Sequence, residues 1–470
     1  MQLQDALDSV SGLRFVVDQA PLLSGLGRRY LYASHWIDRA DELLTLYAEL
    51  AQMSHFLECE ETAVIANFDH LVSQVRDIES TINGLMGGMI LSDIEFFEIK
   101  SFAIVAEQIR ELIADSGFSQ LSSLKQVVDI LDPEHSGVTA FHIYDIYSAE
   151  LAAVRAELKQ LTGATFTLTV EGQNVDSCRD DKAAELYQRS LSLEDGVRKN
   201  LAFQLRPLAA TLRAVLRAIA SLDVRQAKIR LAQRLNLVKP TISNAATSYQ
   251  SLFNPQIADA LTQSGKRYQP IDIDFDTMPT LISGINMGGK TVCLKTIALA
   301  QYMFQFGLYV PAAEACIALV SRVMIVVDDN QCEISGLSSF AGEMRQIDDI
   351  IRVVRKDCRV LVLIDELART TNPIEGRAIV EAMLHLLTKH NVRSFVSSHY
   401  DNIHTSARQL RVKGLREDTT ETTLDVNHID RYIDYSLVCD NDTSAPHEAL
   451  RIARLIGIDE DFIADAEHRI

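Results

Sequence analysis

At 470 residues, with 47% hydrophobic side chains, the chain is long enough for two or three domains with substantial cores. Its apolar runs are too short to cross a bilayer, and Met1-Gln2-Leu3-Gln4-Asp5 does not open a secretory signal. A formal net charge of -19 argues against a general nucleic-acid binder, and seven scattered cysteines without a C-x-x-C pair imply reduced thiols, a cytoplasmic setting and no zinc site.

Taken in order, residues 1–36 read as short helices and loops, with Gly27-Arg28-Arg29-Tyr30-Leu31 entering a helix. Helical spacing then predicts segments over 37–56, 60–85, 92–114, 119–131 and 146–161. Thr165–Val170 alternates with β-branched residues and is predicted to be a short strand. From 180 to 236 the pattern is one long helical stretch, divided or kinked at Pro207. Leu201, Leu205, Leu208, Leu212, Val215, Leu216 and Ile219 form an apolar stripe along it. Asn236–Pro240 closes the stretch, so the predicted domains are a helical core and lever over 1–237 and an α/β nucleotide domain over 238–470. In that second half, strands alternate with helices: a strand ending at Leu281-Ile282, a helix to about Gln305, a strand over 318–327, and an amphipathic helix over 343–355. Strand 360–364, helix 375–390 and strand 394–397 follow, then antiparallel strands over 409–440 and a helix over 448–467. Alternation of this kind implies a parallel sheet with helices on both faces.

Two stretches carry chemistry. Gly284-Ile285-Asn286-Met287-Gly288-Gly289-Lys290-Thr291 fits the phosphate loop G-x-x-x-x-G-K-[ST]. Its glycines let successive N–H groups face phosphate oxygens, Lys290 brings a charge to the β- and γ-phosphates, and Thr291 offers a hydroxyl to Mg²⁺. The helix that follows points its N-terminus at the same anion. Val360-Leu361-Val362-Leu363-Ile364 reads as a strand buried on both faces and ends in Asp365-Glu366. Charges at that position must be paired or bind metal: Asp365 would hold Mg²⁺ and Glu366 would take a proton from the attacking water.

These residues resemble the MutS mismatch-repair ATPases. Ser283 through Thr291 is similar to the family's T-G-P-N-M-G-G-K-S/T, Ser335-Gly336-Leu337-Ser338-Ser339-Phe340 with Glu343-Met344 to S-G-x-S-T-F…E-M, and Ile364 through Thr371 to L-D-E-I-G-R-G-T. Ser397-Ser398-His399-Tyr400 resembles the family's T-H-Y switch. Leu222-Asp223-Val224 with Ala227 resembles its lever end, and Ser24 with Gly27-Arg28-Arg29 the start of its core. Leu337 stands where the family often has Arg, and Ala368 and Thr370 replace two glycines.

The resemblance implies an ABC-like P-loop ATPase that uses ATP and Mg²⁺. Gln331 would sense metal and water, His399 would contact the γ-phosphate, and Ser338 would cap the nucleotide of a partner subunit. Tyr268 and Ile271 are both candidates for adenine stacking. The implied assembly is a homodimer or a heterodimer of related subunits, closed by nucleotide and driving DNA binding or mismatch-repair-type transactions. Arg28, Arg29 and Arg213 are the candidates for a basic lining. A short form without the mismatch-reading domain is expected, since no Phe-x-Glu wedge stands in a plausible context. That absence and the acidity keep open an alternative, a MutS-related chaperone that reactivates a cobalamin-dependent aminomutase. A nucleotide-dependent dimerisation module without turnover is the third reading, opposed by an intact Glu366.

Overall fold

The computed structural model describes residues 1–118, 121–162, 181–284, 289–327, 339–369, 371–416, 432–440, 450, 453–454 and 457–469. The strand expected over Thr165–Val170 lies outside them. The chain forms two compact units. One comprises Met1–Pro21, Ala33–Glu49 and Lys228–Ile470, and the other comprises Leu22–Tyr32 and Leu50–Ala227. The expected division at 237/238 therefore differs from the packing, because residues 1–21 and 33–49 belong with the α/β half.

The first half of the chain carries α1 (Leu3–Ala6), α2 (Leu13–Val17), α3 (Gly25–Tyr32), α4 (Ala40–Cys59), α5 (Thr62–Ser73), α6 (Glu79–Met86), α7 (Asp93–Leu112), α8 (Lys125–Leu131), α9 (Ala149–Thr162), α10 (Asp181–Leu205) and α11 (Ala209–Leu235). The helix expected over 60–85 is two, because the Asp77 carboxylate accepts the Glu79 N–H (3.2 Å) and the Arg29 guanidinium instead of continuing the helical ladder. The 180–236 stretch divides at Pro207 through a single 3₁₀ turn, Arg206–Leu208. Leu201, Leu205, Leu212, Val215, Leu216 and Ile219 of the expected stripe are buried.

Within the helical unit, the two short segments that resemble the family's core start and lever end come together. Asp223 accepts the N–H groups of Leu23 and Ser24 (3.0 Å each) and the Ser24 hydroxyl (2.6 Å). The Ser24 oxygen in turn accepts the Gly27 N–H at 2.9 Å. Burial raises the Asp223 pKa, and these donors oppose the rise. Gly27 is required by this closeness: a Cβ there would stand 2.1 Å from Asp223 Oδ2. Gly27→Ala should therefore displace the carboxylate from its donors and cost about 2–4 kcal/mol. Chemical denaturation followed by helical circular dichroism would read this as a lower midpoint; a parental midpoint would contradict it.

The α/β unit has two sheets. Strands β1 (Thr241–Ser243), β2 (Thr247–Leu252), β3 (Ile271–Phe275), β4 (Thr280–Ser283), β5 (Glu314–Ala318), β6 (Arg322–Val326), β7 (Val360–Ile364), β8 (Arg393–Ser397), β9 (Arg408–Leu415) and β10 (Ile433–Cys439) form a four-stranded sheet, β1-β5-β2-β3, and a six-stranded one, β10-β9-β4-β8-β7-β6. Helices α12 (Pro255–Gln263), α13 (Lys290–Gln305), α14 (Ser339–Val354), α15 (Pro373–Lys389) and α16 (Glu460–Glu467) complete the described elements. In the larger sheet β9, β4, β8, β7 and β6 run parallel, and β10 joins antiparallel to β9. The mixed α/β architecture and the helical N-terminal half agree with the expected fold class. The smaller sheet over 241–318 is not foreseen in the sequence reading.

The strand expected over 318–327 is β6 (Arg322–Val326), shorter at its start because Ala318 ends β5 of the other sheet. Buried amides of α13 hold the crossover between them. Gln305 Nε2 donates to Val320 O (2.7 Å), Gln305 Oε1 accepts the Val320 N–H (3.1 Å), and Gln301 Nε2 donates to Ala318 O (3.0 Å). These contacts satisfy backbone groups that leave one ladder before joining the next. Every residue of β7 is buried, as its unbroken apolar run predicts. Val360, Val362 and Ile364 share a core with Ile347, Ile350 and Val354 of α14 and with Val380, Leu384 and Leu387 of α15. Strand alternation turns Leu361 and Leu363 to the opposite face, and α13 also packs on β6, β7 and β8. The packing leaves the carboxyl ends of β4, β7 and β8 together, where open α/β sheets bind ligands.

Candidate functional site

The site begins where β4 ends. Gly284 has φ 122° and Gly289 has φ 78°, conformations that favour glycine. Gly289 is also the residue from which α13 starts. Lys290, the first residue of α13, is 3% exposed, and its Nζ donates to Gly284 O at 2.5 Å. Glu366 Oε1 lies 3.9 Å from the same nitrogen. Burial lowers the Lys290 pKa, and the attraction of Glu366 and Asp365 does not reverse the fall. The pocket thus disfavours its own cation and would gain from added negative charge. Ile285, Asn286, Met287 and Gly288 lie outside the described residues, as do Gln331 and Ser338.

The carboxylates follow β7. Thr291 Oγ1 donates to Asp365 Oδ2 at 2.5 Å, and Ser397 Oγ at the end of β8 donates to Asp365 Oδ1 at 2.6 Å. The Ser397 oxygen also accepts the Glu366 N–H at 2.8 Å. One fully buried hydroxyl therefore ties the two neighbouring acidic residues to the next strand. Glu366 (φ 48°) and Ala368 (φ 62°) are both left-handed without being glycine, a strain of about 1 kcal/mol or more apiece. Ala368 stands where the resembled motif has glycine, and the positive φ is the backbone reason for glycine there. Arg369 Nη1 lies 3.3 Å from Glu366 Oε2.

His399 follows β8. Desolvation lowers its pKa, Glu366 raises it and Lys290 lowers it, for a net fall below 6.5. Its ring meets Tyr400 at 4.3 Å between centroids. The structure thus brings Gly284, Gly289, Lys290, Thr291, Asp365, Glu366 and His399 to one end of the larger sheet.

Beside Gly289 opens a cavity of about 250 Å³, lined among others by Tyr268, Ile271, Val292, Cys293, Val412 and Tyr435. Tyr268 and Ile271, left open by the sequence, both line it. Tyr435 is the aromatic residue that sequence reasoning missed. It sits where the β9–β10 register shifts between Asp434 and Leu437, and bulges of this kind re-aim a side chain. A Cβ on Gly289 would lie 3.1 Å from the Tyr435 ring. Gln269 fixes this bulge, donating to Asp434 Oδ1 (2.8 Å) and accepting the Tyr435 N–H (3.4 Å). Burial pushes the Cys293 thiol up to about 12, with Asp365 adding to the rise, so this thiol stays protonated. Ser397 is the other missed residue; its place beside the switch-like Ser398-His399-Tyr400 was the available signal.

An α/β unit with a lysine, a threonine and paired carboxylates at the carboxyl ends of parallel strands is thus defined by fold and geometry. The comparisons say which one. Residues 280–470 match MutS domain V. It is similar to the Endonuclease MutS2 of Thermus thermophilus, 38% identical over 184 residues, which span 39% of this chain and 24% of that protein. The Endonuclease MutS2 of Lactobacillus acidophilus is 30% identical over 266 residues, 55% of this chain and 31% of that protein. That of Streptococcus sanguinis is 24% identical over 378 residues, 78% of this chain and 44% of that protein. The matched stretches span a quarter to under half of these relatives' length. Among the described residues no helix is long and apolar enough to cross a membrane.

The Ser397 bridge has a direct test. Ser397→Ala leaves the buried Glu366 N–H without its acceptor and Asp365 without a donor, at an expected cost of about 1–3 kcal/mol. Ser397→Thr keeps the hydroxyl and should retain most of the stability. Denaturant midpoints that do not separate Ser397→Ala from the parent would refute the bridge.

Proposed function

We propose that the α/β unit binds ATP and hydrolyses it as an ABC-like P-loop domain, with nucleotide-driven pairing of two such domains serving DNA transactions of the MutS kind. The observation that carries this reading is the buried Lys290 ammonium at a glycine turn that opens helix α13, 3.9 Å from Glu366 and beside the Thr291–Asp365 pair. A triphosphate would bring negative charge to Lys290, and the α13 N-terminus adds its own attraction. The cavity beside Gly289 takes the base, with Tyr435, Tyr268 and Ile271 as its aromatic and apolar walls.

Mg²⁺ would be held by Thr291 Oγ1 and Asp365, with water and phosphate oxygens completing its shell, and would supply charge neutralisation at the phosphates. That donor set fits: Thr291 Oγ1 and Asp365 Oδ2 lie 2.5 Å apart, and Mg²⁺ on a nucleotide needs only one or two protein oxygens. Glu366, 3.9 Å from Lys290 and tied through its N–H to Ser397, is oriented to take a proton from the attacking water. Gln331 as a sensor of metal and water and Ser338 as a cap on the partner's nucleotide remain part of the proposal, on the strength of the family resemblance.

The printed names of the relatives support the DNA side of the reading, since each is called an endonuclease of the MutS2 type. A net charge of -19 predicts that any duplex contact is local and salt-sensitive.

Glu366→Gln should keep ATP binding and lower kcat by about a hundredfold or more, while Lys290→Ala should weaken binding itself. Steady-state hydrolysis with and without duplex DNA across a salt series, beside fluorescent-nucleotide titration, reads both. Parental turnover in Glu366→Gln would overturn the assignment of the base.

ATP-driven pairing is read by sedimentation of Glu366→Gln with and without ATP. The mass should double only with ATP, and adding Ser338→Arg should abolish the doubling; a dimer indifferent to both would contradict the shared site.

Binding should also be linked to protons. A γ-phosphate beside His399 would raise a pKa that burial now holds below 6.5, so ATP binding should take up a proton over the range where that imidazole titrates. Calorimetry in buffers of different ionisation enthalpy should show that uptake, and His399→Gln should lose it. Uptake unchanged in His399→Gln would place the proton elsewhere.

A further inference from the structure

We infer that Glu343 and Tyr400 are positioning residues that clamp the turn carrying Glu366, so that the place of α14 sets the orientation of that carboxylate. The inference rests on the ATPase reading above for its consequence, but not for its geometry.

The turn after β7 is held from three elements. Ser397 of β8 takes the Glu366 N–H. Glu343, in the second turn of α14, accepts the Ala368 N–H through Oε1 at 2.6 Å. The Tyr400 hydroxyl, beyond β8, donates to Ala368 O at 2.6 Å. Both polar groups of one left-handed residue are therefore bonded to side chains from two different segments. Left-handed non-glycine residues persist where their surroundings over-determine them, and Ala368 meets that condition. The arrangement also dictates a distant glycine. A Cβ on Gly376 of α15 would lie 2.2 Å from the Tyr400 oxygen, so the hydroxyl reaches Ala368 only because residue 376 has no side chain. Tyr400 and Glu343 sense each other as well: burial raises the tyrosine pKa, and the glutamate charge raises it further.

Mechanically, α14 is anchored to the sheet by Ile347, Ile350 and Val354 and touches the turn through Glu343. A shift at the start of α14 is carried by one charge-assisted hydrogen bond to Ala368, two residues from Glu366. Tyr400 joins the same turn to the His399 ring. The clamp thus ties the proposed base and the proposed phosphate-sensing histidine to a single backbone unit.

The test uses the full chain with Glu343→Ala, Glu343→Gln and Tyr400→Phe. Amide exchange over 367–371, read by mass spectrometry, should be about tenfold faster in Glu343→Ala and in Tyr400→Phe, and near parental in Glu343→Gln, which keeps an acceptor oxygen. In steady-state hydrolysis the first two variants should lose about tenfold in kcat with KM for ATP within about twofold of the parent. Unchanged exchange in both variants overturns the clamp, whether or not the protein turns ATP over. Faster exchange with parental kcat, in a parent that is active and is silenced by Glu366→Gln, overturns the positioning role. A parent without turnover whose exchange pattern is nonetheless the expected one upholds the clamp and overturns the ATPase reading instead.

Discussion

The structure of the α/β unit turns on one desolvated charge. Lys290 is placed inside the protein by helix α13, with its ammonium against the Gly284 carbonyl and within 3.9 Å of Glu366. Taking an ammonium out of water is costly, and the attraction of Glu366 and Asp365 offsets only part of the burial. Around this centre the surrounding features acquire a reason. Gly284 and Gly289 let the backbone turn beside it, β7 delivers two carboxylates to it, and Ser397 holds the Asp365 carboxylate and the Glu366 N–H in place.

The same constraint explains the sheet. Parallel strands need long crossovers, and the helices that make them start at the carboxyl ends of the strands. α13 begins within a few residues of β4, so its N-terminus and the carboxylates of β7 meet at one edge. The match of residues 280–470 to MutS domain V takes in every strand of this larger sheet, with β5 of the smaller one.

Much of this was legible in the sequence because it is local. Lys290, Thr291, Asp365 and Glu366 lie in short strings whose spacing carries the chemistry, and an unbroken run of five apolar residues announces a doubly buried strand. Pro207 divides the long helical stretch for a covalent reason. What stayed hidden depends on distant partners. The crossover from β5 to β6 is held by the side chains of Gln301 and Gln305, far from any local turn signal. Tyr435 reaches the cavity through a bulge that only the pairing of β9 with β10 creates. Ser397 looked like an ordinary strand end, and its two hydrogen bonds arise only when β8 lies against β7. Likewise residues 1–21 and 33–49 read as helical and were grouped by kind, whereas they pack with the α/β unit.

The central claim, that this edge of the sheet is a triphosphate site, is tested most directly by following amide hydrogen exchange of the whole chain on adding Mg²⁺ and a slowly hydrolysed ATP analogue. The account predicts protection at the amides from Gly284 to Val292 and around Tyr435, because phosphate oxygens and the base would cover them. Exchange unchanged at 284–292 under saturating analogue, or protection confined to the helical unit, would contradict it.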